Sequence, residues 1–349
     1  MGHSMGRLAA VIAGAATLAC VALGAPPDVI RLPRGFEPEG IFALTPPYFA
    51  VGSIAGDGRI YTFNAASGTG AEVFNTPNQT VVGLTYDRRS GVLWAAGGPT
   101  GGDVLALADG GATLLATISV PVEGNLRPSF LNDAVVVPAA GAVALTDSSN
   151  AAIYVVPTAA ACGGSASRAA RRVSLTGDWK QEDGFNANGI EYSRSAGTLV
   201  IVQSATGLLF RVSWDGVART IPVMGGPLTS GDGILFDAAD PAVLYVVRNR
   251  LAVISVVRFD EPRTLSGARV THNITSDAWS TPTTVAQATD GSLLTVDGRF
   301  GEAQPEELDY FVYRTAGVMT RGMKGAGGGA RVCGGCGDDG HDGSGCDRC

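Results

Sequence analysis

The chain has 349 residues, 45% of them hydrophobic and only 16% charged, which supplies apolar material for a large core. Its net charge of −7, with no basic stripe to offset it, argues against nucleic acid or an anionic membrane surface as the partner. Its 49 glycines suit a protein made of turns.

In chain order, residues 1–24 read as an export signal. Arg7 gives a positive start, Leu8 to Leu23 an apolar stretch, and Ala22-Leu23-Gly24 small residues for cleavage. The alternative is a retained signal anchor, which Pro26-Pro27 and the lack of a basic stop-transfer flank disfavour. Two acceptor sequons, Asn78-Gln79-Thr80 and Asn273-Ile274-Thr275, are compatible with a secretory route. No later stretch is apolar for long enough to cross a bilayer. The expected location is therefore secreted or lumenal, with no stable membrane insertion once the signal is removed.

From residue 25 to 318 one phrase recurs six times: a polar residue, often with a glycine, an apolar run of β character, a turn, and a second apolar run. The runs are Glu39-Gly40-Ile41 to Val51, Gly83-Leu84 to Ala95, and Asn132-Asp133-Ala134 to Asp147. Asn188-Gly189-Ile190 to Val202, Asp232-Gly233-Ile234 to Val247, and Thr283-Thr284-Val285 to Val296 continue the series. A period of roughly 40–50 residues with several short strands per unit marks propeller blades, because a single blade cannot bury both of its faces alone. The expected fold is all-β, a six-bladed β-propeller of four-stranded antiparallel blades. Val29-Ile30-Arg31-Leu32 and Tyr310-Phe311-Val312-Tyr313, from opposite ends of this region, are expected to meet in one blade and close the ring. The longest interval, Asn132 to Asn188, holds an Ala/Gly/Ser loop around Cys162 that should project from the disc.

Trp94, Trp179, Trp214, Trp279, Tyr192 and Tyr245 read as packing or loop anchors, with Trp179 the one placed to overhang the channel mouth. Beyond residue 318 the chain is rich in Gly and Cys. Cys333, Cys336, Cys346 and Cys349 read as a disulfide-linked or disordered tail, and a zinc knuckle with His341 is the alternative.

The chemistry is narrowed by elimination. His3, His272 and His341 lie outside the repeated phrase, so a Ser-His-Asp triad or a histidine-bound zinc has little material. Oxygen remains: Glu39, Asn132, Asn188 and Asp232 each open an inner strand of a different blade, where they would converge on the central axis. Two carboxylates brought together there need a compensating cation or proton. An all-oxygen set suits a hard cation such as Ca²⁺ or Mg²⁺. The competing reading is that these residues cap strands and bond neighbouring backbone, as Asn and Asp do near turns.

Pro38-Glu39-Gly40-Ile41, Leu131-Asn132-Asp133, Asn186-Ala187-Asn188-Gly189-Ile190 and Gly231-Asp232-Gly233-Ile234 together resemble the senescence marker protein, gluconolactonase and luciferin-regenerating enzyme superfamily of six-bladed propellers. The resemblance spans roughly residues 29–317. It implies one divalent cation, Ca²⁺ by preference with Mg²⁺, Mn²⁺ or Zn²⁺ as alternatives, held by Glu39, Asn188 and Asp232. It also implies Asn132 as a substrate contact, Asp232 as the base in lactone hydrolysis, and a small molecule as substrate. Two departures stand out: Val202-Gln203-Ser204 where an aspartate is usual, and Thr229-Ser230-Gly231 where a proline is usual before Asp232. A non-catalytic, metal-stabilised binding or scaffold propeller is the alternative function, and a metal-free condensing enzyme like strictosidine synthase a third.

Overall fold

A computed structural model describes residues 25–98, 103–121, 127–162 and 170–318. The export signal and the cysteine-rich tail expected from the sequence lie outside the described residues, as does the side chain of Cys162. Each repeat forms one sheet, and its first apolar run is the inner strand. The six inner strands are Pro38–Ala43, Leu84–Asp87, Leu131–Val137, Ala187–Ser193, Gly231–Phe236 and Pro282–Gln287, in blades 1 to 6. Each touches the inner strands of the blades on either side, and the sixth touches the first, so the ring is closed around an axis.

Closure comes from pairing the two ends of the propeller. Val29–Arg31 is the outer strand of blade 6 and runs antiparallel to Phe311–Thr315, with Val29 opposite Tyr313 and Arg31 opposite Phe311. The hairpin-connected blades are antiparallel throughout, as the repeat implies. Blades 4 and 5 add a fifth strand that the repeat does not encode. Thr176–Gly177 pairs in parallel with Val217–Ile221, and Val223–Met224 pairs in parallel with Ala268–Thr275.

The core lies between blades, which explains why the second strand of each repeat is apolar on both faces. Along Val92–Ala96, Val92, Trp94 and Ala96 pack toward blade 3, while Leu93 and Ala95 pack toward blade 1. In blade 4, Leu199 and Ile201 face blade 3 and Val200 and Val202 face blade 5. Alternation with period two thus feeds two interfaces from one strand. The closing interface gathers Ile30, Phe36 and Phe63 with Leu294, Tyr310 and Val312. Among the described residues no helix is long and apolar enough to cross a membrane.

Ile30 is fully enclosed in that closing interface, so Ile30→Ala removes packing from the strand that joins the two ends. A loss of about 2–5 kcal/mol in the free energy of unfolding is expected, measured by chemical denaturation. An unchanged denaturation midpoint would show that closure does not depend on this strand.

Candidate functional site

The polar phrase of the sequence is a β-bulge. In blade 1, Pro38 pairs with Ser53 and Ile41 with Val51, so Glu39 and Gly40 stand opposite the single residue Gly52. The same two-against-one step occurs at Asn132-Asp133, Asn188-Gly189, Asp232-Gly233 and Thr283-Thr284. A bulge bends the strand and re-aims a side chain, which is how a strand lying edge-on to the axis can direct an oxygen inward. Blade 2 has Val82-Gly83 at this place and contributes no polar side chain. The second bulge position sits hard against the next blade. A Cβ on Gly40 would collide with the carbonyl oxygen of Val82, and one on Gly189 with that of Asp232. Glycine is required at both positions because the inner strands approach so closely.

Glu39, Asn132, Asn188 and Asp232 are all buried, with between 3% and 7% of their surface exposed. Repeated hydrogen bonds hold the amides. Asn132 Nδ2 donates to Ser148 Oγ at 3.1 Å, and Ser148 donates to the carbonyl of Ala187 in the next blade. Asn188 Nδ2 donates to Ser204 Oγ at 2.9 Å, and Ser204 donates to the carbonyl of Gly231. Ser204 therefore positions Asn188 as Ser148 positions Asn132, while Gln203 takes the place that Asp147 holds in blade 3. Asp232 receives Asn249 Nδ2 on its Oδ2 at 2.9 Å and a further hydrogen bond from the Asn188 side chain. Thr283 donates to the carbonyl of Glu39 at 2.6 Å and ties blade 6 to blade 1.

Burial raises the pKa of Glu39 well above the ordinary carboxylate value, and the charges of Asp232 and Asp133 raise it further. Burial also raises Asp232, against the opposing hydrogen bonds from Asn249 and Asn188. Glu39 and Asp232 thus repel each other across the axis and cannot both ionise without compensation. Asn188 Oδ1 is buried with no hydrogen-bond partner, an unusual state for an amide oxygen. Among the described residues no group of three His, Cys, Asp or Glu side chains is arranged to hold a metal. The ring here differs in kind, with two carboxylates and two amides.

Asp133 and Glu191 did not stand out in the sequence. Asp133 occupies the second bulge position, which is glycine in four other blades, and its Oδ2 accepts the Ile190 N–H of blade 4 at 3.1 Å. Glu191 accepts the N–H of Tyr192 at 3.2 Å and that of Phe236 from blade 5. Both line an axial cavity of about 670 Å³ that follows the inner strands downstream of the bulges. Burial pushes Asp133 up to about 7 and Glu191 up to about 8, with the Asp133 charge adding to the latter. None of Glu39, Asn132, Asn188 and Asp232 lines this cavity. The bulge oxygens and the cavity therefore occupy successive levels of one axis.

Other expectations resolve individually. Trp179 packs on Phe210 with ring centroids 4.9 Å apart, inside the interface of blades 3 and 4. Tyr245 is buried and donates to Asp237 at 2.8 Å. Tyr192 packs at the interface of blades 3 and 4, as the packing reading expects, and also lines the cavity, because it falls at the downstream end of the inner strand of blade 4. Asn186 anchors the loop before the fourth bulge, receiving Glu182 N–H and Gln203 Nε2 on its Oδ1.

No protein-family profile matches the chain, and no curated protein does. Among solved structures it is similar to the major allergen Mala s 1 of Malassezia sympodialis, with TM-score 0.63 and 16% identity, covering 83% of this chain and 96% of that one. It is also similar to virginiamycin B lyase from Staphylococcus aureus, with TM-score 0.54 and 14% identity over 76% and 80% of the two chains. A streptogramin B lyase gives TM-score 0.52 and 12% identity over 82% and 97%. At these identities the likeness is one of fold: the chain is a six-bladed β-propeller.

An acid whose pKa is raised by folding binds its proton more tightly in the native state than in the unfolded chain. Stability is therefore greatest below the ordinary carboxylate value and falls as pH rises toward the folded value. For Asp133 and Glu191 that window runs from about pH 4 to about pH 8. In chelator-treated buffer the thermal midpoint should fall across it, and Glu191→Gln should flatten part of the decline. A midpoint that climbs between pH 5 and pH 8 would contradict the burial of these acids.

Proposed function

We propose that the bulge ring is a divalent-metal site and that the protein, after export, hydrolyses lactones or related esters there. Glu39, Asn188 and Asp232 would hold the ion, Ca²⁺ by preference, with Mg²⁺, Mn²⁺ or Zn²⁺ as alternatives. The observation that carries this reading is the partnerless Asn188 Oδ1 in a ring with two buried carboxyls, both raised in pKa by burial, Glu39 further by the charge of Asp232. A hard cation supplies the partner for the amide oxygen and the positive charge that lets both acids ionise.

When bound, such an ion supplies Lewis acidity toward an ester carbonyl. The chain's own residues do the rest. Asp232, fixed by Asn249, takes the proton of the attacking water. Asn132, with its Nδ2 committed to Ser148, keeps its Oδ1 for a substrate hydroxyl. The deep burial of the ring keeps competing water out and strengthens each of these contacts.

A second reading has its own support. The four ring residues are nearly enclosed and lie outside the axial cavity, which favours an ion that rigidifies the ring without turnover. One set of experiments separates the two. Under the hydrolase reading, stoichiometric Ca²⁺ supports ring-opening of simple lactones, and both chelator and Asp232→Asn reduce it by at least about a hundredfold. Under the scaffold reading, Ca²⁺ raises the thermal midpoint and no lactone is turned over. Lactone turnover that survives chelation and Asp232→Asn would reject metal-dependent hydrolysis, and failure to bind any divalent ion would reject both readings.

A further inference from the structure

Downstream of the ring, the axial cavity has a chemistry of its own, independent of whether an ion occupies the bulges. At about 670 Å³ it lies within the range of small-molecule sites. Three acids line its walls: Asp87 is taken up by the Arg89 N–H and the Ser90 hydroxyl, whereas Asp133 and Glu191 are each anchored by a backbone N–H from a strand of the next blade. Four aromatic rings line it as well: Phe42, Tyr86, Tyr192 and Phe236. Aliphatic side chains of the inner strands complete the wall. At the rim stand three exposed arginines. Arg88 donates to the carbonyl of Ala43, Arg89 donates to the carbonyl of Pro138, and Arg194 lies near enough to Glu191 to act on its charge.

We propose that this cavity is a binding site for an organic amine with an apolar body, inserted with its ammonium group toward Glu191 and Asp133. The ammonium charge favours the ionised form of these buried acids, and the resulting carboxylates accept its charge-assisted hydrogen bonds. The faces of aromatic rings attract a cation that has lost part of its hydration shell. The aliphatic wall takes up the body of the ligand, which separates this site from one for a bare metal ion. Arg88 and Arg89, held at the carbonyls of Ala43 and Pro138, meet the outer end of the ligand, so that end carries no second positive charge.

The test is calorimetric titration of the full-length protein with three probes of equal chain length: octylamine, 1-octanol and octanoate. Octylamine should bind at least about tenfold more tightly than either of the others, the worth of a charge-assisted hydrogen bond. Glu191→Gln keeps an oxygen for the Tyr192 and Phe236 N–H groups, and it should weaken octylamine by about tenfold while leaving 1-octanol unchanged. Asp133→Asn serves as the second variant, with the same direction expected. Octanol or octanoate binding as tightly as octylamine would overturn the proposal. So would octylamine affinity weaker than about 1 mM, or octylamine affinity unaltered in a folded Glu191→Gln protein.

Discussion

Two carboxyls that share one end of a narrow axis set the terms for the rest of this molecule. Glu39 and Asp232 arrive from blades 1 and 5 and lose most of their water; burial makes ionisation harder for both, and the charge of Asp232 adds to the penalty on Glu39. Isolated buried charges are so costly that such a pair persists only if a proton or a cation stands between them. Asn188 marks where that partner would stand: its Nδ2 is occupied by Ser204 while its Oδ1 is left without a donor, the place the proposed cation would fill.

The framework around that pair explains how the cost is borne. The bulges turn oxygens inward, and the glycine that follows lets neighbouring strands close to the separation at which side chains can reach across blades. Thr146 and Ser148 then tie blade 3 to carbonyls of the inner strand of blade 4, Ser204 ties blade 4 to that of blade 5, and Thr283 ties blade 6 to that of blade 1. Each hydroxyl satisfies a buried acceptor that a bulge has freed from the ladder, so the ring is polar without being loose. The apolar interfaces outside it supply the bulk of the stability, and the hydrophobic packing is continuous from blade 1 through blade 6 back to blade 1.

Much of this architecture was legible in the residues. The six-fold phrase, its glycines and the pairing of Val29–Arg31 with Phe311–Thr315 follow from periodicity and from the need to close a ring. The two parallel fifth strands were not, because Thr176–Gly177 and Val223–Met224 are too short to show any pattern. Ser204 lay within the stretch Val202-Gln203-Ser204 that lacks an expected aspartate, but the register sets Gln203 at the place of Asp147, and the role of Ser204 shows only in its cross-blade hydrogen bonds. Asp133 and Glu191 sat in plain view beside the motif residues, yet a single acid in an apolar strand carries no periodic signature. Only the inward-facing register, with Tyr192 next to Glu191, joins them into a cavity wall.

The most direct test of the central claim is anomalous diffraction from crystals soaked in Mn²⁺, with data collected on either side of the manganese absorption edge. A shared cation predicts one anomalous peak on the axis, within roughly 2.0–2.6 Å of oxygens from Glu39, Asn188 and Asp232. A peak-free ring in which Glu39 is protonated and donates its hydrogen bond to Asn188 Oδ1 would contradict it.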